Sequence, residues 1–83
     1  MNEELFRLAM TGIDATIDGW IGKPAGITVG FALARELYSR GLLETVEHEI
    51  DGVGWQHRRY RGRIVQPDPD LADYDFFFGM RLG

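Results

Sequence analysis

The hydrophobic period of this chain changes once, at Gly41, and that change limits its fold more than any other feature. Before Gly41, apolar residues recur every three to four positions; after it, they recur at every second one. Helical patterns in one run and strand patterns in the next, without interleaving, point to an α+β fold.

The helical half divides at Gly22, Lys23, Pro24, Ala25 and Gly26, where proline and glycine mark a boundary. Over residues 2–21, Phe6, Met10, Ile13, Ile17, Trp20 and Ile21 fall on one stripe whose phase does not slip at Gly12. This predicts one helix, with a break at Gly12 into two short helices as the alternative. Gly12 and Gly19 each cost about 1 kcal/mol inside a helix, so close approach of another helix is expected there. Asp14 and Asp18 lie on the polar face. Residues 27–43, ITVGFALARELYSRGLL, predict a second helix that starts at Thr28 and stops at Gly41. Val29, Gly30, Phe31, Leu33, Ala34, Leu37 and Tyr38 fill an apolar arc of about 200°, twice the stripe of a surface helix. That makes it the expected hub of the core. Glu36 and Arg40 are spaced for an i,i+4 ion pair on its wet side.

In the second half, Val46, His48 and Ile50 alternate with Thr45, Glu47 and Glu49. A turn at residues 51–54 and a returning strand over residues 55–65 complete a hairpin. With Gly52-Val53 as its two-residue loop, His48 opposes His57 and Glu47 opposes Arg58. Residues 66–70, QPDPD, make a loop, and residues 74–82 alternate again as a last strand. The expected architecture is ααβββ: two N-terminal helices packed on a three-stranded antiparallel sheet, in a single domain over residues 1–83.

Several functions are excluded or disfavoured by what the chain lacks. It has no cysteine, so there are no disulfides and no thiolate chemistry. No apolar run approaches the roughly 18 residues of a membrane span, and MNEELFRLAM carries acids where a signal peptide carries bases. A cytoplasmic, membrane-free protein is expected. His48 and His57 could face one another, but two histidines do not complete a metal site, and Glu47 and Glu49 point to the other face. Ser39 is the only serine and neither histidine is near it in sequence. The Asp14/Asp18 and Asp68/Asp70 pairs fit solubility and turn formation better than acid–base work. No catalytic residue, metal or cofactor is expected.

The runs TVGFALARELYSRGLLE and EHEIDGVGWQHRRYRGRIV, within residues 28–65, resemble the recognition helix and wing of winged helix-turn-helix proteins. The resemblance implies a recognition helix over residues 28–40, a wing over residues 44–65, and nucleic-acid contacts from Arg35, Arg58, Arg59, Arg61 and Arg63. Against this stand the helix face it would present, Thr28, Ala32, Arg35, Glu36 and Ser39, and a net charge of −4. The family also needs three helices, which a single helix over residues 2–21 does not supply. In a meander, moreover, the basic run HRRYRGR would lie between acidic strands and be neutralised across them.

A protein partner is therefore the leading expectation, with homodimerisation as its simplest form and nucleic acid as the alternative. Trp55, Tyr60 and Phe77 exceed what so small a core can bury and are expected at the interface. Glu47, Glu49, Asp68, Asp70 and Asp73 would supply its acidic part. In size and character the chain is similar to small phage-encoded inhibitors, anti-CRISPR proteins among them, which implies a non-enzymatic regulator that acts by binding.

Overall fold

The computed structural model describes residues 2–80. Its elements are α1 (Glu3–Asp18), β1 (Ile27–Val29), α2 (Phe31–Ser39), β2 (Glu44–Ile50), β3 (Val53–Tyr60), β4 (Arg63–Pro67) and β5 (Phe76–Phe78). The class is α+β, as the change of period implies. The sheet is larger than expected: five strands in the order β2-β3-β4-β1-β5, with β1 parallel to β4 and the other pairs antiparallel.

α1 is one helix through Gly12. Asn2 caps it by accepting the Leu5 amide on Oδ1 at 3.2 Å. Phe6, Ala9, Met10, Ile13 and Ile17 form its buried stripe. Trp20 and Ile21 lie beyond its end; Trp20 packs its ring 5.3 Å from Phe78, whereas Ile21 is exposed. A sheet side chain, not another helix, explains Gly12: a Cβ there would stand 3.0 Å from the Phe76 ring.

The start of the second helix is the main correction. Residues 27–29 are a strand, and the cap is Gly30, not Thr28. Residues 72–75 supply the acceptors at that end: the Gly30 amide donates to Asp75 O at 2.9 Å and the Leu33 amide to Asp73 O at 2.8 Å. Thr28 instead donates its hydroxyl to Gly79 O at 2.7 Å. Within α2 only Leu33, Glu36 and Leu37 are buried, while Phe31 and Tyr38 are exposed, so its apolar arc is only partly covered. Arg40 reaches Glu36 at 3.6 Å, pairs more closely with Glu3, and lies 4.0 Å over the Phe6 ring. It thereby ties the two helices together.

The expected strand over residues 55–65 is broken by a second hairpin loop, Arg61-Gly62, with φ of 49° and 80°. The first loop is Asp51-Gly52, with φ of 52° and 78°, and both have the signs of a type I′ turn. Ile50 therefore faces Val53, His48 faces Trp55 and Val46 faces His57. That register differs by two positions from the expected one, which leaves every side chain on the same face. The last strand pairs with β1 and not with the hairpin, so the three-stranded meander is overturned. Its expected residues Arg81 and Leu82 lie outside the described residues.

Ile27, Val29, Val65, Phe76 and Phe78 pack with Leu33, Leu37 and the α1 stripe to form the core. Both helices thus cover one side of the sheet. By strand alternation Thr28, Phe77, Ile64, Arg59, His57, Trp55, Val53, Val46, His48 and Ile50 share the other side.

Candidate interaction surface

The hairpin β2–β3 projects from the body as an amphipathic arm. Its polar face carries Thr45, Glu47 and Glu49 with Gln56 and Arg58; Glu47 Oε1 accepts from Gln56 Nε2 at 3.0 Å. Its other face ends in Ile50, Val53 and Trp55, which are 59%, 56% and 58% exposed. Register brings them together, since Ile50 pairs with Val53 and Trp55 stands two residues further along β3. The sequence identified Trp55; Ile50 and Val53 could have been added from the Asp51-Gly52 turn signal, which places them side by side.

Further down that face the His48 and His57 rings stack at 4.6 Å, with their Nε2 atoms 3.4 Å apart. Arg59 Nε donates to His57 Nε2 at 3.1 Å. Desolvation, the Arg59 charge and His48 hold the His57 pKa below its ordinary value. Among the described residues no three His, Asp, Glu or Cys side chains converge as a metal site.

The other expected interface residues are dispersed. Tyr60 is not a surface anchor. It packs against the core, and its hydroxyl donates to Asp14 Oδ1 at 2.6 Å. Burial and that carboxylate push its pKa up to about 12. A group whose folded pKa exceeds its unfolded value near 10 contributes stability at lower pH and loses it as pH rises between about 10 and 12. The Tyr60→Phe variant is therefore expected to show a flatter fall in urea midpoint across that window than the parent. Parallel curves would mean that Tyr60 is not the group responsible.

Phe77 is half-buried on β5. Glu49 is exposed opposite Gly54. Asp68 is buried, a correction to its expected place at the surface: its carboxylate accepts the Asp70 amide at 2.8 Å and its own amide donates to Val29 O at 2.9 Å. Asp70 and Asp73 are exposed, and the backbone of Asp73 closes the start of α2. The acidic residues therefore divide between the arm and this loop.

The arginines do not form one patch either. Arg61 reaches α1, at 2.8 Å from Asp18 and 3.4 Å from Asp14, so those carboxylates anchor the β3–β4 turn. Arg63 Nη1 donates to Arg61 O at 3.0 Å, and its buried Nε has no partner among the described residues. Arg58 lies 4.6 Å over the Tyr38 ring, and Arg59 occupies the opposite face of β3. Arg35 is exposed on α2. Only half of the expected acidic–basic–acidic layout forms: β2 flanks β3 and sets Glu44 opposite Arg59, whereas the other neighbour of β3 is β4 and not the strand that follows Asp68, Asp70, Asp73 and Asp75. Glu3–Asp18 being a single helix, there are two helices among the described residues where the winged-helix resemblance implies three.

No helix among the described residues is long and apolar enough to cross a membrane. Compared with known protein families, curated proteins and solved structures, the chain matches none.

Proposed function

We propose that the chain is a small non-enzymatic regulatory protein that binds a partner protein through the apolar face of its β2–β3 arm. The observation that carries this reading is the cluster of Ile50, Val53 and Trp55, each more than half exposed at the tip of an arm that lies outside the core. Such a cluster loses apolar hydration when covered, and tryptophan, which stands at its inner end, is among the residue types that dominate binding energy. The acids Glu47 and Glu49 line the opposite face and keep the arm soluble while it is unbound. A regulator of the inhibitor type works this way, by occupying its partner's surface without chemistry.

Affinity capture with the parent and with the Ile50→Ser/Trp55→Ser variant tests it. Both side chains are outside the core, so the variant is expected to keep its fold and lose binding at least tenfold, about 1.4 kcal/mol or more. Unchanged capture by the variant would refute the reading. A second copy as the partner would register as a concentration-dependent dimer that the same variant dissolves.

A second reading, nucleic-acid binding of winged-helix type, has one observation in its favour: Arg35, Arg58, Arg59 and Arg63 have no carboxylate partner among the described residues. Duplex titration at two salt concentrations separates the two. Tight binding with a steep salt dependence would favour the second.

A further inference from the structure

Beyond Arg59 the arm and the body of the sheet part company. β3 pairs with β2 along its length, from Ile50↔Val53 to Glu44↔Arg59, but with β4 only at Arg59↔Ile64 and Tyr60↔Arg63. From Val65 onward β4 runs beside β1. A two-residue hairpin loop makes Ile50 and Val53 the pair that exchanges both hydrogen bonds. Alternation then directs the backbone of Val53, Trp55 and His57 toward β2. The N–H and C=O groups of Gly54 and Gln56 point the other way, to the side that β4 has left.

A notch of about 490 Å³ opens between the diverging strands and α2. That is within the roughly 300–1,000 Å³ of ligand sites. Ala34, Leu43 and Val65 give it apolar lining, and Arg35 and Arg58 are its cations, the latter braced on Tyr38. The chain has 13 acidic residues, yet none lines this notch. The nearest on that face, Glu47 and Glu49, stand one strand further out on β2, opposite Gln56 and Gly54, with Glu47 bonded to Gln56. Neither arginine forms an ion pair among the described residues. An open strand edge and two available guanidinium groups thus meet in one place.

We propose that the notch takes an extended acidic peptide segment of a partner protein, which adds a strand to β3 at Gly54 and Gln56. Its carboxylates, on every second residue, face Arg35 and Arg58 on the helix side. This rests on the protein-binding reading and deepens it by naming a second surface and the chemistry that surface recognises. Main-chain bonds supply affinity and the alternate side chains supply selectivity, as in other strand additions. A nucleic acid would meet the guanidinium groups but would leave the strand edge without its amide partners.

The test is fluorescence polarisation with a labelled peptide of alternating glutamate and valine, beside hydrogen exchange of the protein amides. Binding should be saturable and weakened at least tenfold by Arg58→Gln, by Arg35→Gln, and by N-methylation of alternate peptide amides. A lysine–valine peptide should not bind. At saturation the Gly54 and Gln56 amides should slow at least tenfold, while Val53, Trp55 and His57, already bonded to β2, change little.

The Ile50→Ser/Trp55→Ser variant should bind the peptide as the parent does, because those side chains are on the other face. Loss of partner capture with peptide binding intact therefore reports on the arm alone. No saturable binding at about millimolar peptide, equal affinity for the lysine peptide, or indifference to Arg58→Gln overturns the notch proposal and leaves the arm standing. Stronger competition by a single-stranded oligonucleotide, or a dimer that the peptide dissolves, overturns it by assigning another occupant.

Discussion

Gly30→Ala is expected to be among the most damaging single changes in this chain, lowering stability by about 3 kcal/mol or more. The reason is space, not backbone conformation: φ is −67° and ψ is 162°, which any residue adopts. A Cβ at Gly30 would lie 2.0 Å from the Ala72 carbonyl oxygen and 2.7 Å from the Asp73 carbonyl carbon and oxygen. All three are main-chain atoms, so no rotamer change relieves the contact. Moving them displaces the two acceptors, Asp73 O and Asp75 O, that satisfy the first amides of α2. One methyl group therefore costs packing and helix capping together. Total stability for a domain of this length is about 4–12 kcal/mol. A fall in Tm of about 12–24 °C is expected. Gly54→Ala is the control: it has open space and no left-handed φ, and should stay within about 1 kcal/mol of the parent. Equal thermal midpoints for Gly30→Ala and Gly54→Ala would mean that residues 72–75 do not seat on α2.

The same site explains why the sequence misplaced the start of this helix. β1 has only three residues, too few for its Ile27-Thr28-Val29 alternation to stand apart from the helical pattern that follows, and Thr28 in front of an apolar run reads equally as a helix cap. Its partners lie far away in the chain, Val65 on one side and Phe78 on the other. A local pattern contains no trace of either. The β2–β3 hairpin is legible for the opposite reason, since one face of the arm is polar and residues 51–54 signal a turn, although the loop is Asp51-Gly52 and not the expected Gly52-Val53. The Arg61-Gly62 turn has a weaker signal, because a single glycine inside a run of strand formers reads as a bulge as readily as a loop. The interface residues divide in the same way. Trp55 stands out as an aromatic in excess of what so small a core can bury, and the sheet does place it on the face the helices do not cover. Tyr60 and Asp68 became structural only once α1 and β1 had been placed, through Asp14 and Val29 O respectively. The notch was invisible, since it exists only because β4 leaves β3 for β1.

Leu33→Ala is the other change expected to have a large effect, and beside Tyr38→Ala it measures how far α2 is a core helix. Both residues lie on the apolar arc that the sequence predicts, and the fold treats them in opposite ways. Leu33 is fully buried among the core residues; Tyr38 is 61% exposed, with Arg58 over its ring. Removing a wholly enclosed leucine loses transfer free energy and leaves a cavity that close-packed neighbours fill only in part. About 3 kcal/mol is expected, within the usual range of 2–5. Tyr38→Ala gives up one exposed cation–π contact, about 0.5–1 kcal/mol. Urea midpoints at constant m-value would read the two directly. If Tyr38→Ala cost as much as Leu33→Ala, the whole arc would be buried, and the α2 wall of the notch would have to be closed. Combining Leu33→Ala with Gly30→Ala should cost less than the sum, because the Leu33 amide is held by Asp73, the residue that the Gly30 methyl group would displace. Strict additivity would separate the capping of α2 from its packing; a deficit of 0.5 kcal/mol or more would mean that the loop and the leucine hold the helix as one unit.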